Sequence, residues 1–310
     1  MERMMPKYNI GIDLGGTKIE VAVINKKHEV IFRDRINTEA NKGPSHILNQ
    51  IFFIYQLATN HIKNADHSLG IGTPGSISAK NGLLRNSNTI CLNGLPLKSL
   101  IEKRLNKKFN IENDANCFTL AEAVMGVATN YKFVFGIIIG TGCGGGIVIN
   151  KQLRIGPQLI TGEWGHSIIN SSGPKCYCGK NGCIETYISG SGLERDIKER
   201  LNQHLSAKNF LNQKIYTKDE QKIVNRFYYY FGLSLSNIIN IIDPDIIVLG
   251  GGLSNHKELY SFGKKEVYKN IFSDFRTTPI KKNKLGDSAG VIGAALIGAR
   301  GGDFHNGCKH

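Results

Sequence analysis

The 310-residue sequence lacks any apolar run of the roughly 20 residues that a membrane-spanning helix needs. Its first residues, Met1–Lys7, contain no apolar stretch of the kind found in a secretory signal. These absences argue against the transmembrane and secreted classes. We therefore predict a cytoplasmic protein with no membrane partner.

Long blocks of one charge are also missing, although the formal net charge is +14. Such a charge is compatible with binding to nucleic acid or to a membrane surface. The densest basic run, Lys281–Lys284, is short, however, and is typical of a solvated loop. The dispersed charge favours an ordinary soluble surface, and we expect no nucleic-acid partner.

The cysteines do not suit a disulfide framework, because there are seven of them and three crowd into eight residues. Cys176, Cys178 and Cys183 follow His166 in the pattern H-x9-C-x-C-x4-C. Thiolates and an imidazole at this spacing suit tetrahedral Zn²⁺. Four protein ligands leave no open position, so we predict a structural zinc site in a reducing compartment. The alternative is a loop of free thiols.

Zinc at this place would clamp the segment 162–185 and hold Glu163, His166 and Glu185 close together. Two carboxylates beside a rigid metal knuckle would suit the binding of hydroxyl groups. The alternative for Glu185 is an ordinary surface charge.

Glycine is abundant, with 36 residues, and many glycines lie in turns between apolar runs. A pattern of strand, glycine turn and strand occurs twice, which predicts two related halves whose turns face each other across a cleft. The first copy comprises Tyr8–Asp13, Gly15–Gly16 and Ile19–Ile24, and the second comprises Phe133–Ile139, Gly140–Gly146 and Ile147–Ile149.

The other apolar segments alternate between strand and helix patterns, which predicts an α/β fold with two related domains and a nucleotide cleft. The first domain is predicted at residues 1–114, completed by 288–302, and the second at 115–287 with a zinc knuckle at 162–185. The predicted strands are Val30–Ile36, Ser68–Gly72, Phe109–Glu112 and Asp245–Leu249, and the predicted helices are Ile47–Ala58, Ala115–Ala128, Phe227–Ile242 and Ser288–Ala299.

Glycine turns can surround phosphate oxygens with backbone N–H donors. Near the first turn, Thr17 adds a hydroxyl and Lys18 a cation, and Asp13 could hold Mg²⁺ through water. The alternative is that these are ordinary hairpin turns. The predicted nucleotide-binding residues are Gly11, Asp13, Gly15, Gly16, Thr17, Lys18, Gly140, Thr141, Gly142, Cys143, Gly144, Gly250, Gly251 and Gly252.

Two other nucleotide motifs are excluded. Gly140, Gly142 and Gly145 match the G-x-G-x-x-G fingerprint of dinucleotide sites, but a strand rather than a helix follows them. The acidic partner expected about 20 residues further on is also not evident. The phosphate-loop pattern GxxxxGK[ST] does not occur.

Asn113 and Asp114 follow a predicted strand and precede a predicted helix. A carboxylate at a strand end can project into a cleft and accept a proton from a hydroxyl within about 3 Å. We therefore predict Asp114 as a general base for a sugar hydroxyl, with Asn113 orienting the sugar. The alternative is that one or both residues cap the helix.

Taken together, these segments resemble the ROK family of sugar kinases (repressor, open reading frame, kinase) over nearly the whole chain. The matching segments are Gly11–Lys18, Gly72–Ser78, Asn113–Cys117, Gly140–Gly146, Gly162–His166, Cys176–Gly192 and Asp243–Asn255.

The resemblance implies an actin-like, ribonuclease-H-like ATPase fold, ATP bound between the domains, and a homodimer. It implies that Asp114 is the catalytic base and that zinc is held by His166, Cys176, Cys178 and Cys183. The substrate-binding residues that it implies are Gly75, Asn113, Asp114, Glu163, His166 and Glu185.

Within the family, these motifs are most similar to those of bacterial fructokinases of the mannokinase/fructokinase type. The expected reaction is D-fructose plus ATP to fructose 6-phosphate plus ADP. N-acetylglucosamine kinase, or another hexokinase acting on glucose or mannose, is the alternative, because N-acetylglucosamine kinases share stretches similar to ENDANCF, GGG and NIIDPD. The loop between His166 and Cys176, near the expected sugar-binding residues, is also short for the fructokinase group. Sugar-responsive repressors of the family carry a helix-turn-helix before the ATPase-like part. Only Met1–Lys7 precede the first strand here, so we do not expect a regulator.

Overall fold

The computed structural model describes residues 6–299 of the chain. These residues form two compact units. The first unit comprises, among the described residues, those up to Ala121, the segment Leu153–Thr161 and the residues from Asp287 to Ala299. The second comprises Glu122–Gln152 and Gly162–Gly286.

The first unit is built on a five-stranded sheet with the strand order β3-β2-β1-β4-β7. Strands β1, β2 and β3 are antiparallel neighbours, whereas β1, β4 and β7 run parallel. Its elements are β1 (Tyr8–Leu14), β2 (Lys18–Asn25), β3 (Val30–Asn37), α1 (Pro44–His61), β4 (His67–Thr73), β5 (Ser76–Ile77), β6 (Leu84–Arg85), α2 (Leu97–Leu105), β7 (Asn110–Asn113) and the start of α3 (Asp114–Val124).

The last helix also packs in the first unit. This helix, α9 (Ala289–Ala299), lies against β1 and β4. Glycine permits its close approach, because a Cβ at Gly11 would lie 2.2 Å from the Val291 carbonyl oxygen and one at Gly70 would lie 2.0 Å from the Ala294 carbonyl oxygen. Gly11 is therefore required for packing in the middle of β1. The predicted segment 288–302 continues past Ala299, and its last residues lie outside the described part of the chain.

The second unit repeats this arrangement with the strand order β10-β9-β8-β11-β12. Strands β8 and β9 are antiparallel, and β8, β11 and β12 are parallel. Its elements are β8 (Phe133–Ile139), β9 (Cys143–Ile149), β10 (Gln152–Leu153, at the unit boundary), α4 (Glu185–Ile188), α5 (Gly190–Leu201), α6 (Ala207–Leu211), α7 (Lys218–Ile242), β11 (Ile246–Gly250), α8 (Phe262–Asn270) and β12 (Ile280–Lys282).

Each unit has its own hydrophobic core. In the first unit, buried Ile10, Ile12 and Leu14 of β1 pack with apolar residues of α1. In the second, β8 packs against α5 and α7, and the Phe135 and Trp164 rings meet edge to face with centroids 6.0 Å apart. Among residues 6–299, no helix combines the length and apolar character needed to cross a membrane.

Several predicted element bounds were wrong. The predicted helix Phe227–Ile242 begins nine residues earlier, at Lys218, because Thr217 and Glu220 form a capping box. The predicted turn Gly140–Gly146 is shorter, since β9 begins at Cys143 and pairs with β8 through its glycines. The helix predicted at Ala115–Ala128 begins at Asp114 and ends at Val124.

Candidate active site

The turn between β1 and β2 is closed and held from within the first unit. The Gly15 amide donates to the Lys18 carbonyl oxygen at 2.9 Å. The hydroxyl of fully buried Thr38 donates to the Gly15 carbonyl oxygen at 2.7 Å, and the Thr38 amide donates to the Thr17 carbonyl oxygen at 2.8 Å. Thr17 and Lys18 remain exposed at the tip. The turn is thus fixed in position while its tip can reach a ligand.

Asp13 is the penultimate residue of β1, just before this turn, and its carboxyl is partly buried. Burial, together with the negative charges of Asp114 and Glu20, raises the pKa of Asp13 to about 7. Gly290, in the first turn of α9, lies against this carboxyl, and a Cβ there would be 2.5 Å from Oδ2. A cation near Asp13 would relieve the unfavourable burial of its charge.

Asn113 and Asp114 share the start of α3, and the structure assigns the capping role to Asn113. Its Oδ1 accepts a 2.7 Å hydrogen bond from the Asn116 amide, three residues on. Asp114 is the first residue of the helix and is exposed, and its Oδ1 accepts from the Ala115 amide at 2.8 Å. Since β1 and β7 are parallel to β4 on either side, Asp13 and Asn113 lie at the same edge of the sheet.

The segment after β4 carries Gly75, another residue predicted to bind substrate. Gly75 has φ of +84°, which favours glycine, and a Cβ there would lie 2.4 Å from the Arg85 carbonyl oxygen. The first unit thus brings Asp13, Gly75, Asn113 and Asp114 to one edge of its sheet.

In the second unit, the corresponding turn comprises Gly140, Thr141 and Gly142. The Gly140 amide donates to the Gly142 carbonyl oxygen at 3.0 Å. The start of α5 holds the turn. The Gly190 amide donates to the Gly140 carbonyl oxygen at 2.7 Å, and the Ser191 hydroxyl donates to the Thr141 carbonyl oxygen at 2.7 Å.

Glu185 connects this turn to the cysteine-rich segment. Its Oε2 accepts a 2.9 Å hydrogen bond from the Cys143 amide, and a Cβ at Gly142 would lie 2.7 Å from the same oxygen. Glu185 is therefore not a simple surface charge, which was the alternative interpretation of the sequence.

The third glycine turn lies in the same unit. Gly251 has φ of +80°, and a Cβ there would lie 2.5 Å from the Ile139 carbonyl oxygen at the end of β8. Gly250 ends β11, which is the parallel neighbour of β8. The second and third predicted glycine turns therefore lie side by side.

His166, Cys176, Cys178 and Cys183 come together as the spacing predicts. Their ligand atoms all lie within 4.8 Å of one another. Cys176 Sγ is 3.6 Å from His166 Nδ1, and Cys178 Sγ is 3.6 Å from Cys183 Sγ. The edges of a tetrahedron around Zn²⁺ with ordinary bond lengths measure about 3.5 to 3.8 Å. The four side chains therefore fit Zn²⁺ in both chemistry and spacing.

Tyr177 lies between two of these cysteines and was not singled out by the sequence. Its hydroxyl is 3.0 Å from His166 Nε2, the nitrogen that faces away from the cysteines. Partial burial raises the pKa of Tyr177, and the negative charges of Glu185 and Glu163 raise it further. The second unit thus gathers Glu163, His166 and Glu185 around Tyr177.

Two contributors had no signal in the sequence. Thr38 supports a turn 23 residues earlier in the chain, and such a contact leaves no local pattern. Tyr177 lies inside the cysteine pattern, but the spacing of metal ligands says nothing about the residue between them.

The profile of the ROK family matches residues 9–300. The N-acetyl-D-glucosamine kinase of Histophilus somni (strain 129Pt) is 36% identical over 306 residues, which cover 93% of this chain and 97% of the relative. Two solved structures are similar along their length. The ROK hexokinase from Thermus thermophilus has a TM-score of 0.85 and 27% identity, with 94% of this chain and 97% of that chain covered.

The second structure is a ROK family glucokinase from Streptomyces griseus in complex with glucose and AMPPNP. It has a TM-score of 0.77 and 26% identity, with 95% of this chain and all of that chain covered (100%). The α/β fold, with two domains of the actin-like ATPase type, is therefore as the sequence predicts. Because the family profile matches nearly the whole chain, this protein belongs to the ROK family.

Proposed function

We propose that this protein is an ATP-dependent sugar kinase whose substrate is N-acetyl-D-glucosamine. The observation that carries the proposal is its similarity, along nearly the full length of both chains, to curated N-acetyl-D-glucosamine kinases. The motif resemblance favoured fructose, but these relatives do not support that preference and favour the alternative. The family membership supports the more general assignment as a sugar kinase.

Asp114 is proposed as the general base. It is exposed at the first position of α3, beside the Asn113 side chain that caps the helix. The contact with the Asn116 amide is made by Asn113, which supports the separate assignment of Asp114 as the base. Asp114 would accept the proton of the attacking hydroxyl, which makes the sugar oxygen a better nucleophile.

The proposed nucleotide-binding residues are the glycine turns together with Thr17 and Lys18, and Asp13 would hold Mg²⁺ through water. Mg²⁺ would supply positive charge for the phosphate oxygens. The pKa of Asp13, raised to about 7 by burial, supports a carboxyl that gains from a nearby cation. The hydrogen bonds that close the turns at Gly15 and Gly140 support a fixed position for the other amides of these turns as donors to phosphate.

The proposed sugar-binding residues of the second unit are Glu163, His166 and Glu185, and the first unit contributes Gly75 and Asn113. We further propose that His166 and the three cysteines hold a structural Zn²⁺. The metal would fix the loop that carries these side chains, because all four of its positions are taken by protein ligands.

The test is an ADP-release assay across N-acetylglucosamine, glucose, mannose and fructose with the purified protein. We expect the highest kcat/KM with N-acetylglucosamine, by at least tenfold over fructose. A kcat/KM for fructose equal to or above that for N-acetylglucosamine would refute the substrate assignment. Absence of ADP release with every sugar would refute the kinase assignment.

A further inference from the structure

A small cavity in the first unit lies beside Asn113, at the edge of the sheet where the proposed substrate residues gather. Its volume is about 20 Å³, which is room for one water- or methyl-sized group. Thr73 at the end of β4 and Ser76 of β5 contribute hydroxyls to its lining. The family resemblance of the sequence does not assign this cavity a role.

One wall carries a buried acceptor without a partner. Glu112 Oε2 accepts a 2.9 Å hydrogen bond from the Asn116 side chain, but Oε1 has no hydrogen-bond partner among the residues that the structure describes. Burial raises the pKa of Glu112 to about 7, while donation from the Asn116 side chain and the Asn113 backbone and the charge of Lys98 act in the opposite direction. Buried polar atoms are nearly always satisfied, so Oε1 calls for a donor from water or from a ligand.

The apolar part of the cavity lining consists of Ile77, Ile111 and Leu159. Leu159 has φ of +56°, a left-handed conformation that is unfavourable for a bulky residue. The turn is closed by a hydrogen bond from the Leu159 amide to the Gly156 carbonyl oxygen at 3.0 Å. Strain of this kind concentrates where a fold positions a ligand-binding side chain.

An acetamido group combines the features that this cavity would recognise. Its methyl group would fill the cavity against the three branched side chains. Its N–H and carbonyl oxygen, left at the opening, offer a donor to the Glu112 carboxyl and an acceptor to a hydroxyl. Asn113, expected to contact a sugar hydroxyl, also lines the cavity. We propose that this cavity receives the methyl end of the N-acetyl group, and that Glu112, Ile77 and Leu159 select the acetylated sugar over the plain hexose.

The inference rests on the proposed function, because it names the feature that would distinguish N-acetylglucosamine from glucose. Glucose carries a hydroxyl where the acetylated sugar carries its acetamide. It would therefore leave the apolar wall unfilled. A site built to hydrogen-bond a substrate group rejects the analogue that lacks it, because its own buried group is left unpaired.

The experiment measures kcat/KM for N-acetylglucosamine and for glucose in two variants. Glu112→Gln keeps the size of the side chain but changes its hydrogen-bonding capacity, and Ile77→Phe fills the cavity. We expect each variant to lower kcat/KM for N-acetylglucosamine at least tenfold and that for glucose less than threefold. The matched controls are Glu102→Gln and Ile31→Phe, which lie elsewhere in the first unit, on α2 and β3. Both controls should leave the ratio of the two values unchanged.

The outcomes are separable. Normal wild-type turnover of N-acetylglucosamine with an unchanged ratio in both variants would overturn the subsite and leave the proposed function intact. The cavity would then hold only water. An equal fall for both sugars would also overturn it, since Glu112 would then act only by supporting Asn113 and Asp114. Failure of the wild type to phosphorylate N-acetylglucosamine would overturn both proposals.

Discussion

The sheets of the two units have corresponding strand orders, with the first strand at the centre, its antiparallel hairpin partner on one side and two parallel strands on the other. In both, a glycine amide closes the first hairpin turn, at Gly15 in one unit and Gly140 in the other. The chemistry at the end of the first strand differs, however. Asp13 of β1 pairs with Glu20 across the antiparallel ladder, whereas Ile138 of β8 pairs with Gly144.

The two units therefore share a backbone topology but differ in the side chains at their strand ends. The first unit places carboxyl groups at the strand ends, where burial and, to a smaller degree, the charges of Asp114 and Glu20 raise the pKa of Asp13. The second unit keeps its strand ends apolar or glycine-rich and adds the cysteine loop and Glu185, which accepts a hydrogen bond from the turn. The first unit thus gathers carboxyl groups that include the proposed base Asp114, and the second presents a glycine turn next to an amide that Glu185 holds.

The comparison predicts its largest effect at Asp114. In Asp114→Asn the side chain keeps its shape but can no longer accept a proton as a base. We expect kcat to fall by roughly 10²- to 10⁴-fold, as is typical for loss of a general base. ADP release at saturating sugar and ATP measures it. Asp34→Asn, on the exposed edge strand β3, is the matched control and should keep wild-type turnover. A kcat within threefold of wild type in Asp114→Asn would remove the catalytic role.

The second prediction concerns the metal and is confined to the second unit. We expect about one zinc per chain after dialysis, and Cys183→Ser should lose most of it together with about 5 to 10 °C of thermal stability. Metal analysis and calorimetry measure the two quantities. Cys91→Ser, a cysteine of the first unit outside the cluster, should change neither. A fully folded wild-type protein without zinc would contradict the prediction.

Much of the scaffold could be predicted because its strands are continuous apolar runs. Phe133–Ile139 was predicted with its observed bounds, since each residue is apolar or glycine and the run ends at Gly140. The start of β9 was missed because Gly144, Gly145 and Gly146 have low strand propensity, and only pairing with β8 makes them a strand. The first nine residues of α7 were missed because they are mostly polar, although the capping box at Thr217 was readable.

Some residues of the candidate site could likewise be predicted from the sequence, and others could not. The metal cluster could be predicted because its four ligands lie within one short loop, and their spacing alone brings them together. Glu112 could not be singled out, because its significance comes from a cavity lined by residues as distant as Thr73 and Leu159. The choice between Asn113 and Asp114 as the cap also required the geometry, since both residue types cap helices equally well.

The next prediction concerns the pKa of Asp13 and its contribution to the free energy of unfolding. Its pKa in the folded state is about 7, above the ordinary value of 3.8, so the folded state binds the extra proton between these values. Stability therefore falls as pH rises from about 4 to 7 and then levels off. In Asp13→Asn this component is absent, so the variant should exceed the wild type by up to about 4 kcal/mol at pH 8 and show no such gain at pH 4. Urea unfolding of the protein without ligands measures the difference. An equal gain at both pH values would show that ionisation is not the cause.

The smallest effect compares the two glycine turns directly. In Gly142→Ala the new methyl group would lie 2.7 Å from Glu185 Oε2 and displace the carboxylate from the Cys143 amide. In Gly16→Ala the nearest atom would be Asn88 Oδ1 at 3.3 Å, a side-chain atom that can move by a few tenths of an ångström. Because Glu185 is proposed to bind the sugar, we expect Gly142→Ala to raise the KM for sugar about three- to tenfold and Gly16→Ala to raise it less than twofold. Steady-state kinetics with varied sugar at saturating ATP measures both. Equal changes would mean that the two turns respond alike to an added methyl group, and that Glu185 does not couple the second turn to sugar binding.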